Sequence, residues 1–280
     1  NGDGSYESVG AVQSQDSPYY PWYHFSHWPD KYDSWWGIYS LPAVNEADPS
    51  YRRYIFGGAD SIIRRWLAAG ADGWRLDVAD ELPDDFIHGI HAAARQAKPE
   101  AVIIGEVWED GSNKIAYGVR RRHILGGHCD GLMNYPFRNA LLSFLLGEDA
   151  FRFRQAMETL RENYPPFAWR SAMNFLGTHD TPRILTALVD DFDGSREEKA
   201  KRHLSRNLLP VAVERLQMAS FLQYTLAPDV HDSRKHGESG PPAVRFSWEG
   251  KKSLSDTGKT AVSGKGRHSG KHASARSVFP

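Results

Sequence analysis

Short apolar runs alternate with amphipathic segments along residues 48–226. Three of the runs, at 73–78, 101–108 and 172–181, are continuous in the way that strands buried on both faces are. Segments with a helical apolar period lie between them, and the first two runs follow the preceding helix after very short links. Helix and strand in alternation predict parallel βα units, and therefore an α/β domain.

Capping residues mark where the first helices begin and end. Asp48 as N-cap and Pro49 at the first helical position begin a helix, and Gly70 ends it. A second helix is predicted over 83–98, with Asp84 in its first turn. The remaining predicted elements are a strand at 130–136 and helices at 137–146, 150–163 and 195–226, the last beginning with a capping box and broken or kinked at Pro210. The polar and basic region 112–127 is interpreted as a solvated helical face.

The three buried-type runs each end in an acidic residue: Asp77, Glu106 and Asp180. In (β/α) architectures the carboxyl ends of the strands form the face that holds the chemistry. Arg75 and Asp77 share one face of their strand, because residues two apart point the same way. A structural ion pair is the competing interpretation of these two residues. Glycoside hydrolysis requires two carboxyl groups, one ionised and one protonated, on either side of the sugar bond.

Three motifs of the sequence resemble those of a known family, and their order and spacing match as well. Gly73-Trp-Arg-Leu-Asp-Val-Ala79, Gly105-Glu-Val-Trp108 and Gly177-Thr-His-Asp-Thr181 are similar to the strand 4, 5 and 7 motifs of the α-amylase superfamily, glycoside hydrolase family 13. The similarity is greatest to the neopullulanase, cyclomaltodextrinase and amylopullulanase branch. The resemblance covers roughly residues 6–226, without recognisable strand 3 and strand 8 motifs. It implies a partial TIM (β/α)8 barrel that contains about strands 4 to 7 and their helices.

The resemblance also implies roles for individual residues. Asp77 would be the nucleophile, Glu106 the general acid/base and Asp180 the stabiliser of the transition state. Arg75 would orient the nucleophile, and His179 would bind sugar hydroxyls. Further candidates for substrate binding are Trp108, Asn134, Tyr135, Trp35, Trp36 and Asn45. No metal site is assigned: calcium is frequent in the family, but its usual ligand positions are not identifiable here.

Residues 1–47 show no sustained helical or strand period and are rich in aromatic side chains. A long irregular segment of this composition is typical of a functional loop rather than of disorder. Aromatic rings stack on sugar rings, so a binding loop is the functional interpretation, and the resemblance implies that this segment follows strand 3 and covers the substrate cleft. A loop attached to the barrel by its own aromatic side chains is the alternative for most of these residues.

Residues 227–280 have a different composition, with abundant Ser and Gly, a basic excess and few large apolar side chains. Such a segment buries too little surface to offset ordering entropy, and a disordered low-complexity tail is predicted, with polyanion binding as the alternative. The abrupt change near 224–230 is interpreted as a reading-frame shift in the source sequence. The chain is accordingly expected to be a fragment, with barrel residues 48–226 between the loop and the tail.

Composition and charge further limit the classes of function that the sequence allows. A formal net charge of -1 gives no indication of nucleic-acid binding, and the single Cys129 excludes an intrachain disulfide. No apolar run has membrane-spanning length and no signal-peptide pattern is visible, so a cytoplasmic or secreted location stays open. The prediction is a retaining hydrolase of α-glucans such as starch, maltooligosaccharides, cyclodextrins or pullulan. Transglycosylation, α-glucan isomerisation, an inactive fragment and a non-catalytic carbohydrate-binding protein are the alternatives.

Overall fold

The computed structural model describes residues 9–189, 194–201 and 203–226. The predicted tail at 227–280 lies outside the described residues. Within residues 9–47, the aromatic segment contains only short elements: 3-10 turns at Tyr20–Trp22 and Trp35–Gly37, and an antiparallel pair of strands, β1 (Phe25–His27) and β2 (Lys31–Tyr32). Rings attach it to the following helix, since Trp22 contacts Tyr51 with ring centroids 5.3 Å apart.

The continuous helix expected from Asp48 to Gly70 is wrong. Asp48 does cap α1 (Pro49–Arg52), because its carboxylate accepts hydrogen bonds from the amides of the first turn. The helix then becomes a π-helical turn at Arg53–Gly57 and breaks before α2 (Ile62–Ala68). A Cβ at Gly58 would lie 2.9 Å from the Arg53 carbonyl oxygen, so this break requires glycine.

The sheet and its helix follow the predicted order closely. The elements are β3 (Gly73–Leu76), a 3-10 turn at Ala79–Glu81, α3 (Asp84–Ala97) and β4 (Val102–Gly105). A 3-10 turn at Gly111–Asn113, the antiparallel strands β5 (Ile115–Ala116) and β6 (Val119–Arg120), and β7 (Gly131–Leu132) come next. Strands β3, β4 and β7 are parallel and adjacent in that order. Each is shorter than its apolar run.

The last predicted strand, at 172–181, is wrong as a strand. A single parallel bridge joins Met133 to Met173, and the chain then leaves the sheet. The described part of the sheet therefore has three strands and is not a closed barrel.

The helical interpretation of residues 112–127 is also wrong. The segment is irregular apart from the end of the 3-10 turn Gly111–Asn113 and the β5–β6 hairpin. Arg121 is buried, where its guanidinium donates to the Leu82 carbonyl oxygen and lies 3.2 Å from the Asp84 carboxylate. Arg121, which the pattern placed on a solvated face, thus forms an internal ion pair. Arg120 and Arg122 are exposed.

In the part of the chain that the structure describes, six helices follow the sheet: α4 (Tyr135–Leu145), α5 (Ala150–Asn163), α6 (Pro166–Arg170), α7 (Ile184–Ala187), α8 (Arg196–Lys201) and α9 (Leu209–Thr225). The capping box is confirmed, because Ser195 and Glu198 bond reciprocally at the start of α8. Pro210 does not kink a long helix but lies in the first turn of α9. Within the described ranges, no helix combines the length and apolarity that a membrane crossing needs.

The main hydrophobic core lies between the sheet and α3. The fully buried side chains there include Ile87, Ile103, Val107, Ile124 and Leu132. Trp66 of α2 is 56% exposed. Cys129 is buried beside Gly105, and burial raises the pKa of its thiol to about 12.

Candidate active site

Parallel pairing places the ends of β3 and β4 side by side. Leu76 is in register with Gly105, and the Glu106 amide donates to the Leu76 carbonyl oxygen at 2.9 Å. The Ala79 amide returns a bond to the Glu106 carbonyl oxygen at 3.0 Å. Asp77 and Glu106 are thus carried on adjacent backbones at the carboxyl edge of the sheet.

Arg75 links the two carboxylates. Its Nη1 donates to Asp77 Oδ1, and its Nη2 lies 2.8 Å from Glu106 Oε1. The Asp77 side chain is 69% exposed, whereas that of Glu106 is only 3% exposed. One cation therefore offsets the repulsion between a solvent-facing carboxylate and a buried one. The prediction that Arg75 and Asp77 share a face is confirmed.

Glu106 receives two further hydrogen bonds. The Tyr135 hydroxyl donates to Oε1 at 3.2 Å, and the Val78 amide donates to Oε2 at 2.9 Å. Val78 has φ 41° and ψ 55°, a left-handed conformation that is unusual for a β-branched residue. The conformation allows the chain to leave β3 with the Val78 N–H directed at the carboxylate.

An aromatic cluster surrounds this carboxylate. Tyr135 stacks on Trp108 with centroids 4.5 Å apart, and meets Phe175 edge to face at 4.7 Å. The pKa of Tyr135 is raised because burial and the nearby Glu106 and Asp180 charges disfavour its phenolate. Trp108 remains 47% exposed, so it has a face available to a ligand.

Asp180 and His179 follow the Met133–Met173 bridge. The Asp180 amide donates to Thr178 Oγ1 at 3.2 Å, and its carboxylate lies 3.2 Å from His179 Nε2. The His179 side chain is 76% exposed. The Asp180 charge acts on Tyr135, which in turn contacts Glu106. No hydrogen bond or ion pair joins Asp180 directly to Asp77 or Glu106 among the described contacts.

Two predicted substrate ligands are engaged in the fold itself. Asn134 caps α4 by accepting from the Phe137 amide at 3.0 Å, and its Nδ2 donates to Asn174 at 2.8 Å. Asn45 donates to the Pro21 carbonyl oxygen at 3.3 Å and accepts from a backbone amide in its own turn. Their role toward substrate stays a prediction.

Trp35 and Trp36 stack on each other with centroids 5.3 Å apart. Trp36 is 79% exposed, and its Nε1 donates to Glu81 Oε1 at 3.0 Å. The same oxygen accepts the Tyr117 hydroxyl at 2.9 Å. Sequence reasoning missed Glu81 and Tyr117. The Tyr117-Gly118 pair, with φ 51° and 75°, gives the hairpin signal that could have located Tyr117.

Across the described ranges, no three His, Cys, Asp or Glu side chains converge in a way that could hold a metal ion.

The family description "Alpha amylase, catalytic domain" matches residues 14–210. Amylopullulanase of Thermoanaerobacter thermohydrosulfuricus is 32% identical over 265 residues, covering 85% of this chain and 17% of the relative. Cyclomaltodextrinase of Geobacillus thermopakistaniensis is 33% identical over 183 residues, covering 62% of this chain and 29% of the relative.

Among solved structures, the ligand-free cyclic α-maltosyl-(1→6)-maltose hydrolase of Arthrobacter globiformis is similar with a TM-score of 0.56 and 28% identity, covering 65% of this chain and 40% of that one. The sequence thus spans less than a third of the length of either curated relative. The match of the family over most of the described residues, together with the sheet and its acidic edge, shows that this chain belongs to the α-amylase catalytic-domain family.

Proposed function

We propose that this chain carries the catalytic centre of a retaining glycoside hydrolase that cleaves α-glucans. The relatives named for pullulan and cyclomaltodextrin support the substrate class. The observation that carries the proposal is the bridge from Arg75 to Asp77 and Glu106 at one sheet edge. A structural ion pair needs only one carboxylate for each guanidinium. The Arg75 guanidinium instead contacts two carboxylates, one exposed and one buried.

In the first step, the exposed Asp77 carboxylate attacks the anomeric carbon and forms a C–O bond to it. The bond from that carbon to the glycosidic oxygen breaks, and the leaving oxygen takes the proton of Glu106. Arg75 holds the attacking carboxylate in its direction. The departing sugar then diffuses away from a covalent glycosyl ester of Asp77.

In the second step, Glu106 acts as the base. It takes a proton from water as the water oxygen bonds to the anomeric carbon, and the ester bond to Asp77 breaks. The Arg75 ion pair and the hydrogen bonds from Tyr135 and the Val78 amide hold the Glu106 side chain in position at the sheet edge. Asp180 would hydrogen-bond ring hydroxyls as positive charge develops on the sugar.

The test is to incubate the 280-residue chain with maltoheptaose, β-cyclodextrin and pullulan and to resolve the products by chromatography. Asp77→Asn and Glu106→Gln are each expected to lower kcat/KM by at least about 100-fold, within the range of acid–base and nucleophile losses. The exposed Asp60→Asn is the matched control. Full activity of Asp77→Asn would refute the assignment of Asp77 as the nucleophile.

The configuration of the first product tests the double displacement separately. Proton NMR during turnover should show the α-anomer before mutarotation, because two inversions restore the starting configuration. A β-anomer formed first would overturn the two-step mechanism. Products longer than the substrate would indicate that a sugar hydroxyl replaces water in the second step, as in a transglycosylase.

A further inference from the structure

Two successive backbone amides after β3 both bind Glu106. The Val78 amide donates to Glu106 Oε2 at 2.9 Å, and the Ala79 amide donates to the Glu106 carbonyl oxygen at 3.0 Å. The first of these contacts depends on the left-handed backbone of Val78, with φ 41°. A β-branched residue in that region is strained and keeps the conformation only where surrounding contacts impose it. Contacts elsewhere in the structure are therefore needed to hold this backbone in place.

The residues that follow Val78 form a short closed turn. The Glu81 amide donates to the Val78 carbonyl oxygen at 2.9 Å, and the Leu82 amide donates to the Ala79 carbonyl oxygen at 3.3 Å. Residues 78–82 are thus one hydrogen-bonded unit, called the 78–82 turn below. A side chain that fixes this turn also fixes the direction of the Val78 N–H.

The side chain of Asp80 attaches the 78–82 turn to the segment between β4 and β7. Its Oδ1 lies 2.9 Å from His123 Nε2, and its Oδ2 lies 3.4 Å from Lys114 Nζ. Burial alone would raise the pKa of the Asp80 carboxyl, but the hydrogen bond from His123 and the Lys114 charge outweigh burial and lower it. An ionised carboxylate only accepts, so His123 is the donor through Nε2.

The His123 ring is part of the protein interior. Its side chain is 0% exposed, and its carbonyl oxygen accepts from the Cys129 amide at 2.9 Å, close to the start of β7. Within the described part of the chain, its Nδ1 is buried without a hydrogen-bond partner. A buried polar ring is costly to keep, and the hydrogen bond that this ring makes goes to the 78–82 turn.

Arg121 holds the other end of the 78–82 turn. Its guanidinium donates to the Leu82 carbonyl oxygen and lies 3.2 Å from the Asp84 carboxylate. The Arg121 side chain is 8% exposed. Side chains of one segment, 114–123, therefore fix the turn at two points, and neither point touches Glu106 itself.

We propose that Asp80, held by His123 and Lys114, is a positioning residue for Glu106, because it keeps the Val78 amide directed at the Glu106 carboxyl group. The assignment deepens the proposed function and rests on it, since that function supplies the acid–base role of Glu106. Arg75 and Tyr135 contact Oε1 of Glu106, whereas the Val78 amide contacts Oε2. Loss of the Val78 contact would leave the carboxyl group free to rotate away from the glycosidic oxygen.

Two substrates separate a loss of acid catalysis from a general loss of structure. The leaving oxygen of maltoheptaose needs the proton of Glu106. In α-maltosyl fluoride, the C–F bond breaks as Asp77 bonds to the anomeric carbon, and fluoride leaves without a proton. Asp80→Ala is expected to lower kcat/KM for maltoheptaose about tenfold to hundredfold, the size of a misplaced catalytic group, and to leave kcat/KM for the fluoride nearly unchanged.

Two further variants complete this comparison. Asp80→Asn keeps an acceptor for His123 and loses only the charge that faces Lys114, so it should lose less activity than Asp80→Ala. Asp72→Ala is the matched control, because it removes an exposed aspartate from an ion pair with Lys98 just before β3. Its kcat/KM should equal that of wild type on both substrates. Circular dichroism melting checks that each variant is folded; if Asp80→Ala is unfolded, Asp80→Asn carries the same comparison.

The Val78 amide reports its contact without turnover. In a sample with 15N-labelled valine, the Val78 signal is the one that disappears in Val78→Ala. Its proton is expected at low field, because it is bonded to a carboxylate. The signal should move upfield in Asp80→Ala and in Glu106→Gln, and it should stay in place in Asp72→Ala.

The outcomes separate the two proposals. Equal losses on maltoheptaose and on the fluoride, or a Val78 signal that does not move in Asp80→Ala, would overturn the positioning role of Asp80. If wild type hydrolyses neither substrate, the proposed function fails. The Val78 signal then still decides whether Asp80 sets the contact between Val78 and Glu106.

Discussion

Asp130 and Ile103 exchange two hydrogen bonds across adjacent strands. The Asp130 amide donates to the Ile103 carbonyl oxygen at 2.8 Å, and the Ile103 amide donates to Asp130 Oδ2 at 2.8 Å. Arg95 also donates to Oδ1 of this carboxylate, and His91 Nε2 lies 3.5 Å from it. The carboxylate is 9% exposed. It joins β4, α3 and the start of β7, and so supports the strand that ends in Glu106.

Asp130→Ala should therefore destabilise the protein. It leaves the Arg95 guanidinium without its partner and the buried Ile103 amide without its acceptor. Loss of one partner of a buried pair costs about 3–5 kcal/mol in free energy of unfolding. Urea unfolding measures the change, with exposed Asp60→Ala as control. A loss no larger than that of the control would show that Asp130 is dispensable.

The contribution of Asp130 should also depend on pH. Burial alone would raise the pKa of its carboxyl, but bonds from His91, the Ile103 amide and Arg95 outweigh burial and lower it. The folded pKa is thus below the unfolded one, which is about 3.9. The stabilisation is present above the unfolded pKa and lost as pH falls through the folded pKa. Urea titrations of wild type and Asp130→Asn should differ by more at neutral pH than in strong acid; a constant difference would contradict this.

Arg75→Lys should impair catalysis while the fold persists. An ammonium cannot reproduce the two separate nitrogens that hold Asp77 and Glu106. Misplacing the nucleophile is expected to lower kcat/KM about 100-fold. The measurement is initial rate on maltoheptaose beside thermal unfolding, and Arg154→Lys, on an exposed ion pair of α5, is the control. Unchanged kcat/KM would leave Arg75 a purely structural residue.

Tyr135→Phe should lower kcat without disturbing the cluster. The ring contacts with Trp108 and Phe175 remain, and only the hydroxyl donor to Glu106 is removed. One hydrogen bond to a charged group corresponds to about a tenfold loss at the lower end of its range. Exposed Tyr224→Phe on α9 is the matched control. Equal rates in both variants would exclude a contribution from the hydroxyl.

The Glu81 carboxylate should control the titration of Tyr117. Its hydrogen bond to the hydroxyl and its negative charge raise the pKa of Tyr117, because the phenolate would lose the bond and meet a like charge. Glu81→Gln is therefore expected to lower the pKa of Tyr117 toward its ordinary value. Ultraviolet difference titration against Tyr117→Phe isolates this residue. An unchanged Tyr117 titration in Glu81→Gln would contradict the contact.

Local signals predicted the elements around the site. The period and caps of 83–98 and 150–163 predicted α3 and α5 almost to the residue. The run at 172–181 has strand composition but forms a single bridge, because pairing depends on a neighbouring backbone that composition does not specify. The helix predicted for the basic segment 112–127 was wrong for a similar reason. Arg121 is buried because it pairs with the Asp84 carboxylate and donates to the Leu82 carbonyl oxygen, both far away in sequence.

The candidate site also contains contacts that local sequence predicts and contacts that it does not predict. Arg75 lies in β3 and Asp77 directly follows the strand, so their contact agrees with the two-residue alternation that the sequence predicted. Glu81 and Tyr117 are 36 residues apart and come from a turn and a hairpin, and no local pattern joins them. Val78 was expected to continue the strand, but it turns left-handed in order to bond Glu106.

The thiol of Cys129 can serve as a probe of local opening in this protein. It is the sole thiol in the sequence, it is buried beside Gly105, and its raised pKa disfavours the reactive thiolate. A thiol reagent can reach it only when the structure around Cys129 opens. The labelling rate of an unmodified sample therefore reports opening of the packing beside the strand that ends in Glu106.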